Sequence, residues 1–427
     1  MSVDASRKFE PVGYLALVLR NKNYRSLWIG EIISLFGDWF NLIASAALIA
    51  KLTSSGLAVG GLFVVRMLAP FLVSPLAGVF ADRFNRKHLL IISDLIRAAV
   101  VLGFLLIREP NHIWFLYTLT SIQLAISGFF YPARNAILPE IVSRAELGAA
   151  NALSSATWSV MLALGAAMGG VVAGQWGIYP AFVIDSISFL LSALLIAQII
   201  YQPEPKDAES GQSLRAAGRQ YVEGLRYLIQ NIAIFATSFH KAALALTVNG
   251  AFQVVQVALA EQKFVLGEGG GTSLGILYAV AGIGTGLGPI VARRFTGDRE
   301  NMLQIVLALS YGLTILGLII TAPLYNFGTV LFGSFLRASG SGINWVFSTQ
   351  LLLQLLPDRV RGRVFSTEFA MLTLANALGA AAGGWALDNT SLDLSQMLWI
   401  MSLLTIVPGV LWTLWIIFNR KPNTEVV

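Results

Sequence analysis

No cysteine occurs among the 427 residues, so a disulfide framework and a thiolate metal site are both excluded, and the redox compartment leaves no mark. Charge is scarce: Asp, Glu, Lys and Arg together make up 12% of the chain, too little polar surface to coat a water-facing body. Three histidines, at positions 88, 112 and 240, and the lack of any His-Glu-x-x-His stretch leave an intramembrane metallohydrolase without ligands. No Gly-x-x-x-x-Gly-Lys-Ser/Thr stretch exists, so ATP-driven work would need another chain. Gly282-Ile-Gly284-Thr-Gly286-Leu-Gly288 has glycine spacing of a nucleotide loop but lies in an apolar run with no preceding strand, and nucleotide binding is rejected there. No cofactor or metal is expected.

What is present is apolar: 56% hydrophobic residues and a mean hydropathy of +0.70. Runs long enough to cross a bilayer fall at about 27–50, 56–80, 88–107, 112–131, 151–174, 177–200, 231–258, 272–292, 301–321, 325–353, 364–386 and 396–418. The fold class expected is an all-α membrane protein of twelve crossings. Residues 1–26 read as an N-terminal tail, 27–200 and 231–418 as two six-helix halves, 201–230 as a polar linker and 419–427 as a C-terminal tail. The tail before the first run is too polar for the core of a cleavable signal. Twenty-two Lys and Arg fall in the tails and connections of one face and three, Lys51, Arg108 and Lys263, on the other. By the positive-inside rule both termini are cytoplasmic, in a plasma membrane, and the net charge of +6 reports orientation rather than nucleic acid. Within the linker, Leu214, Val222, Leu225 and Leu228 recur at helical spacing opposite Arg215, Arg219 and Arg226, which predicts an amphipathic helix along the inner surface.

The short turn Gly78-Val-Phe-Ala-Asp82-Arg83-Phe-Asn85-Arg86-Lys87 marks a membrane surface, because an acid and three bases do not enter lipid cheaply. It resembles the loop between the second and third helices of the major facilitator superfamily, Gly-x-x-x-Asp-Arg-x-Gly-Arg-Lys, with Asn85 in place of the second Gly. Asn tolerates a left-handed turn, the conformation expected here. Glu223-Gly-Leu-Arg-Tyr-Leu-Ile and Arg361-Gly362-Arg363 resemble segments of the branch that includes macrolide-efflux and enterobactin-export proteins. The chain also repeats itself: Leu138-Pro139-Glu140 and a glycine run at Gly165, Gly169 and Gly170 recur as Leu356-Pro357-Asp358 and Gly379, Gly383 and Gly384, with Gly165 and Gly379 standing 214 residues apart. A repeat at half-length is what two six-helix units from one ancestor would leave. The glycine strips let helices approach closely. The first resembles the antiporter signature Gly-Pro-x-x-Gly-Gly but has Ala166 at the Pro position, so close packing is an equal reading.

Deep charges mark function, since one at the bilayer centre costs at least about 2.5–3.5 kcal/mol and must face a cavity or a partner. Counted from the ends of the runs, Asp38, Arg66, Lys241 and Arg337 fall midway, and Asp94, Arg97 and Asp185 nearer the surfaces. Asp38 and Arg66, at similar depth, could pair, structurally or as part of coupling. The resemblance puts Asp38, Lys241 and Arg337 on cavity-lining helices. His240, Gln123, Asn249, Gln253 and Asn344 are further polar candidates, His240 as a proton relay or as a histidine satisfied by a neighbouring carbonyl. Arg361 and Arg363 are expected to meet Asp358 and Glu368, and with Gly78, Asp82, Arg83, Arg86 and Lys87 to form a cytoplasmic latch or a plain topogenic loop.

The resemblance implies a secondary transporter, not an enzyme: a monomer in the lipid bilayer that binds a small-molecule substrate and protons and exports an amphipathic drug-like or siderophore-like compound. Three deep bases against one deep acid point instead to an anionic or zwitterionic substrate such as a lysophospholipid. A membrane enzyme or a scaffold without transport is the reading from another class, with little in the sequence to carry it.

Overall fold

The computed structural model describes residues 13–201, 214–296 and 299–419. Arg7, Lys8, Pro203, Pro205, Lys206, Arg420 and Lys421 lie outside them, as do the side chains of Gly78, Asp82, Arg83, Arg215, Asp358 and Arg359. Among the described residues every regular element is helical. A short α1 (Tyr14–Arg20) leads into α2 (Lys22–Thr53), α3 (Gly56–Arg83), α4 (Arg86–Leu102), α5 (Ile113–Ile141), α6 (Arg144–Val171) and α7 (Ile178–Ala197). The linker helix α8 (Leu214–Gln230) precedes α9 (Ile232–Leu244), α10 (Gly250–Ala258), α11 (Gly271–Thr296), α12 (Glu300–Thr321), α13 (Phe327–Leu355), α14 (Asp358–Asn389) and α15 (Leu394–Asn419). A π-helical turn at Ala245–Asn249 joins α9 to α10 in one rod, so each half has six rods. Among the described residues eleven rods are long and apolar enough to cross a bilayer. The twelfth, α13, has the length but carries Arg337 and a Ser-Gly-rich middle that dilute its hydropathy.

Local chemistry sets where the rods begin. The Asn21 side chain accepts from Tyr24 N–H at 2.9 Å to start α2, and Ser143 with Glu146 forms a reciprocal capping box on α6. Asn85 does the same for α4, accepting from His88 N–H at 3.2 Å with φ −62° and ψ 115°. It is therefore an extended N-cap residue, not the left-handed turn the motif suggested: a carbonyl side chain that satisfies an orphan N–H is worth more here than a glycine's freedom.

Within the first half, α2 packs on α6 and α7, and α4 on α5 and α7; within the second, α13 packs on α11 and α12, and α14 on the α9–α10 rod. The halves meet along two seams, α3 with α14 and α6 with α11. The repeated glycines explain both levels. Gly165 and Gly169 face Trp39 and Phe40 of their own half, and Gly379 and Gly383 face Ala245 and Ala251 of theirs. The last glycine of each run faces across: a Cβ on Gly170 would fall 2.6 Å from the Cα of Gly275, and one on Gly384 would fall 2.5 Å from the carbonyl oxygen of Gly56. No side chain fits at either point.

Both seams close at the end of the bundle away from the termini. There Asp388 of α14 caps α3, accepting from Ser55 Oγ at 2.5 Å, Gly56 N–H at 2.7 Å and Leu57 N–H at 3.0 Å, and Lys51 pairs with Glu268. A cavity of about 510 Å³ lined by Glu261, Lys263, Asp388 and Asp393 flanks this closed end. Toward the terminus face the seams come apart: Leu72, Phe369 and Ile290 are 69%, 55% and 60% exposed, and a Cβ on Gly286 would meet nothing within 4 Å. Linker helix α8 packs on the start of α14, where Gly224 abuts the Arg363 carbonyl, rather than standing free on a surface.

Candidate functional site

A buried charge network fills the first half. Arg97 of α4, 2% exposed, bonds Asp94 one turn earlier, donates to Ser127 Oγ at 3.3 Å and reaches Asp38 of α2 at 3.8 Å. Its guanidinium carbon lies 4.2 Å from the centre of the Phe189 ring and 4.7 Å from that of Phe130, so the cation is held by carboxylates and by two aromatic rings. Asp185 of α7 is fully buried against Gly37 of α2, whose missing side chain leaves it room: a Cβ there would fall 2.4 Å from Asp185 Oδ1. Gln123 of α5 and half-buried Arg66 of α3 lie within interaction range of Asp38. Arg97 is thus the cation at ion-pair distance from Asp38, with Arg66 in electrostatic range, and Asp94, Arg97 and Asp185 belong to the deep set rather than to the surfaces. Arg97 spans the gap because a guanidinium on a three-carbon stem reaches across a helix interface.

Nearer the terminus face the same half carries two more pairs. Glu31 accepts from Arg134 at 2.8 and 3.2 Å, and Arg86 bonds Glu140, which also accepts from the Tyr201 hydroxyl at 2.6 Å. Burial and the Glu140 carboxylate push the Tyr201 phenol up to about 12, so it keeps its proton and donates at any physiological pH. Lys87 donates to the carbonyls of Ala197 and Ile199 at 2.8 Å, tying the start of α4 to the end of α7.

The second half is built differently. Arg337 of α13, 7% exposed, donates to Asn249 Oδ1 at 3.1 Å and lies 3.9 Å over the Phe252 ring, and among the described residues no carboxylate comes within 4.0 Å of it. Asn249 also accepts from Ser341 at 3.3 Å. Tyr278 of α11 lies within electrostatic range of both Arg66 and Arg337 and packs edge-on against Trp39 of α2, so the two halves meet around its ring. Lys241 of α9 pairs with Glu368 at 2.9 Å and donates to Thr349 Oγ1 at 2.7 Å. Gln253 is half-buried on α10.

Three expectations change. Glu368 serves Lys241, not Arg361 or Arg363: Arg361 reaches the Leu353 and Leu356 carbonyls at 3.4 Å, and Arg363 pairs with Glu223 of the linker helix at 2.9 Å. His240 meets the Tyr311 hydroxyl at 2.8 Å and Trp412 edge-on, and Asn344 turns to Ser310, so both face α12 and α15 instead of the central space. An excess of three bases over one acid becomes a balance of four, Arg66, Arg97, Lys241 and Arg337, against Asp38, Asp94, Asp185 and Glu368. The balance is uneven, with three of the acids in the first half. The acids were legible as charges inside apolar runs; which rod each one faces was not.

The Major Facilitator Superfamily family model matches residues 27–324. An uncharacterized MFS-type transporter, YfiS, of Bacillus subtilis (strain 168) is 27% identical over 379 residues, covering 86% of this chain and 87% of that protein. A putative bacilysin exporter, BacE, of Bacillus subtilis is 23% identical over 361 residues, covering 84% and 87%. Among solved structures, a bacterial homolog of the human lysosomal transporter Spinster, in an inward-facing and unoccupied conformation, superposes with a TM-score of 0.72 at 15% identity over 95% of this chain and 99% of that one.

Proposed function

Since the chain belongs to the major facilitator superfamily and is a multi-pass membrane transporter, not an enzyme, we propose that it exports an amphipathic small molecule in exchange for protons, acting as a monomer by alternating access. Both termini face the cytoplasm in this reading, on the strength of the basic tails and connections. The bundle described is then the state open to the cytoplasm. Export is supported by the similarity to a putative bacilysin exporter.

One observation carries proton coupling: Asp38 is a membrane-deep carboxylate with its side chain 21% exposed, and it shares Arg97 with Asp94. When Asp38 takes a proton on its carboxylate, Arg97 keeps Asp94, so no cation is stranded. When it gives the proton up, Arg97 is there to hold the charge. The test is uptake into inside-out vesicles. Asp38→Asn is expected to abolish uptake driven by a pH gradient while substrate counterflow persists; gradient-driven uptake at the parent rate in this variant removes Asp38 from the mechanism.

Arg337 favours a second reading within the same class. A buried guanidinium with no carboxylate partner is costly unless an anion visits it, so an acidic or zwitterionic substrate, lysophospholipids included, fits the second half better than a lipophilic cation. Arg337→Gln is expected to weaken anion binding and leave neutral ligands alone.

A further inference from the structure

Beside the central space a recess of about 300 Å³ opens between α9, α13 and α14, lined by Lys241, Trp345, Thr349, Phe365, Glu368, Phe369 and Leu372. Its polar floor is built rather than incidental. The side chains of Lys241 and Glu368 are only 7% and 4% exposed, whereas the walls formed by Trp345 and Phe369 are 50% and 55% exposed. An ammonium has three hydrogens. One goes to Thr349 Oγ1 at 2.7 Å; Glu368 Oε1 pairs with Nζ at 2.9 Å, and the Trp345 ring centre is 4.7 Å from Nζ.

Charge decides what the recess accepts. The Lys241–Glu368 pair sums to zero, so a carboxylate entering it would crowd two anions on one cation, and an amine would meet the ammonium. An uncharged carbonyl accepts from the ammonium without either conflict, with its apolar body against Trp345, Phe365 and Phe369. Along α13, Arg337 and Trp345 are eight residues apart, roughly 12 Å, and both face the α9–α10 rod, as their contacts with Asn249 and Lys241 show.

We infer that the recess is a second subsite, and that together with Arg337 it selects a two-ended substrate: an acidic group at Arg337 and, about 12 Å away, an aromatic or aliphatic arm bearing an uncharged carbonyl in the recess. This inference rests on the anion reading of Arg337.

The experiment measures binding of two probes to the purified full chain in detergent, N-benzoylglycine with a short spacer and N-benzoyl-aminooctanoic acid with a long one. The long acid is expected to bind roughly tenfold or more tighter. Trp345→Ala, and the double substitution Lys241→Met with Glu368→Gln, which removes the pair together and strands no buried charge, are each expected to erase that advantage. Arg337→Gln weakens both acids alike. Equal affinity of the two acids in the parent, or an advantage that survives both variants, overturns the subsite. If the acids bind no better than their methyl esters, the anion reading is what falls. The long ester's sensitivity to Trp345→Ala then upholds the recess alone, and its indifference overturns that as well.

Discussion

The two halves of this transporter share a backbone plan and differ in how they treat deep charge. In the first, Arg97 is surrounded by Asp38, Asp94, Ser127 and two aromatic rings, and Arg134 holds Glu31 through two hydrogen bonds. In the second, Lys241 and Glu368 form one closed pair while Arg337 is left with an amide and an aromatic face. A duplicated unit has thus been kept where it packs, at the glycine strips, and has diverged where it meets the central space. The first half thus has two carboxylates on one guanidinium, and the second a guanidinium with no carboxylate within 4.0 Å among the described residues. In the function proposed above, the proton falls to the first half and the substrate anion to the second.

The sharpest way to break the comparison is to make the same substitution on both sides. Arg97→Met leaves Asp38 and Asp94 uncompensated and is expected to cost about 3–5 kcal/mol, read as a lower melting temperature or loss of monodisperse protein in detergent. Arg337→Met strands no carboxylate and is expected to change stability by no more than about 1 kcal/mol. Equal losses would mean that Arg337 has a structural partner after all. Next in size, gradient-driven uptake by Asp38→Asn is expected to fall roughly tenfold or more with its melting temperature nearly unchanged; a stability loss matching that of Arg97→Met would make the carboxylate structural. The seam gives a smaller contrast. Gly170→Leu, against Gly275, is expected to destabilise by about 1–3 kcal/mol, and Gly286→Leu, with open space beside it, hardly at all, both by thermal melting. Smallest is Glu223→Gln on the linker helix, whose partly exposed pair with Arg363 is worth about 0.2–1 kcal/mol and is weakened further by salt.

The twelve rods were legible because lipid imposes one length and one composition on every crossing, and the half-length repeat because the glycine runs of α6 and α14 repeat residue by residue. Asp38, Lys241 and Arg337 were legible as charges where charge is expensive. Their partners were not. Counting from apolar run ends put Asp94 near a surface, yet α4 starts at Arg86, two residues before the apolar run, and a rod's depth scale shifts with its start. Nor does one sequence tell which face of a rod a side chain occupies once the rod is apolar all round. That is why Glu368 was assigned to nearby arginines in the chain, and why the partner of His240, the Tyr311 hydroxyl, was not foreseen. Asn85 was misjudged for a different reason: turn propensity and capping propensity favour the same residue type, and only the backbone angles separate them.

The cap that Asp388 places on α3 has a consequence for the tempo of the cycle. A helix whose first turn is completed by the other half of the molecule is whole only while that face is shut. Opening it exchanges three hydrogen bonds for water, a net of about 2–4 kcal/mol at the usual worth of such bonds. In the proposed cycle that contribution favours the state shut on that side. It is also small enough for the binding energy of one well-matched ligand to offset. In the cycle proposed above, a ligand offsets the clamp only through the difference in its affinity for the two states, so Asp388 sets how large that difference has to be.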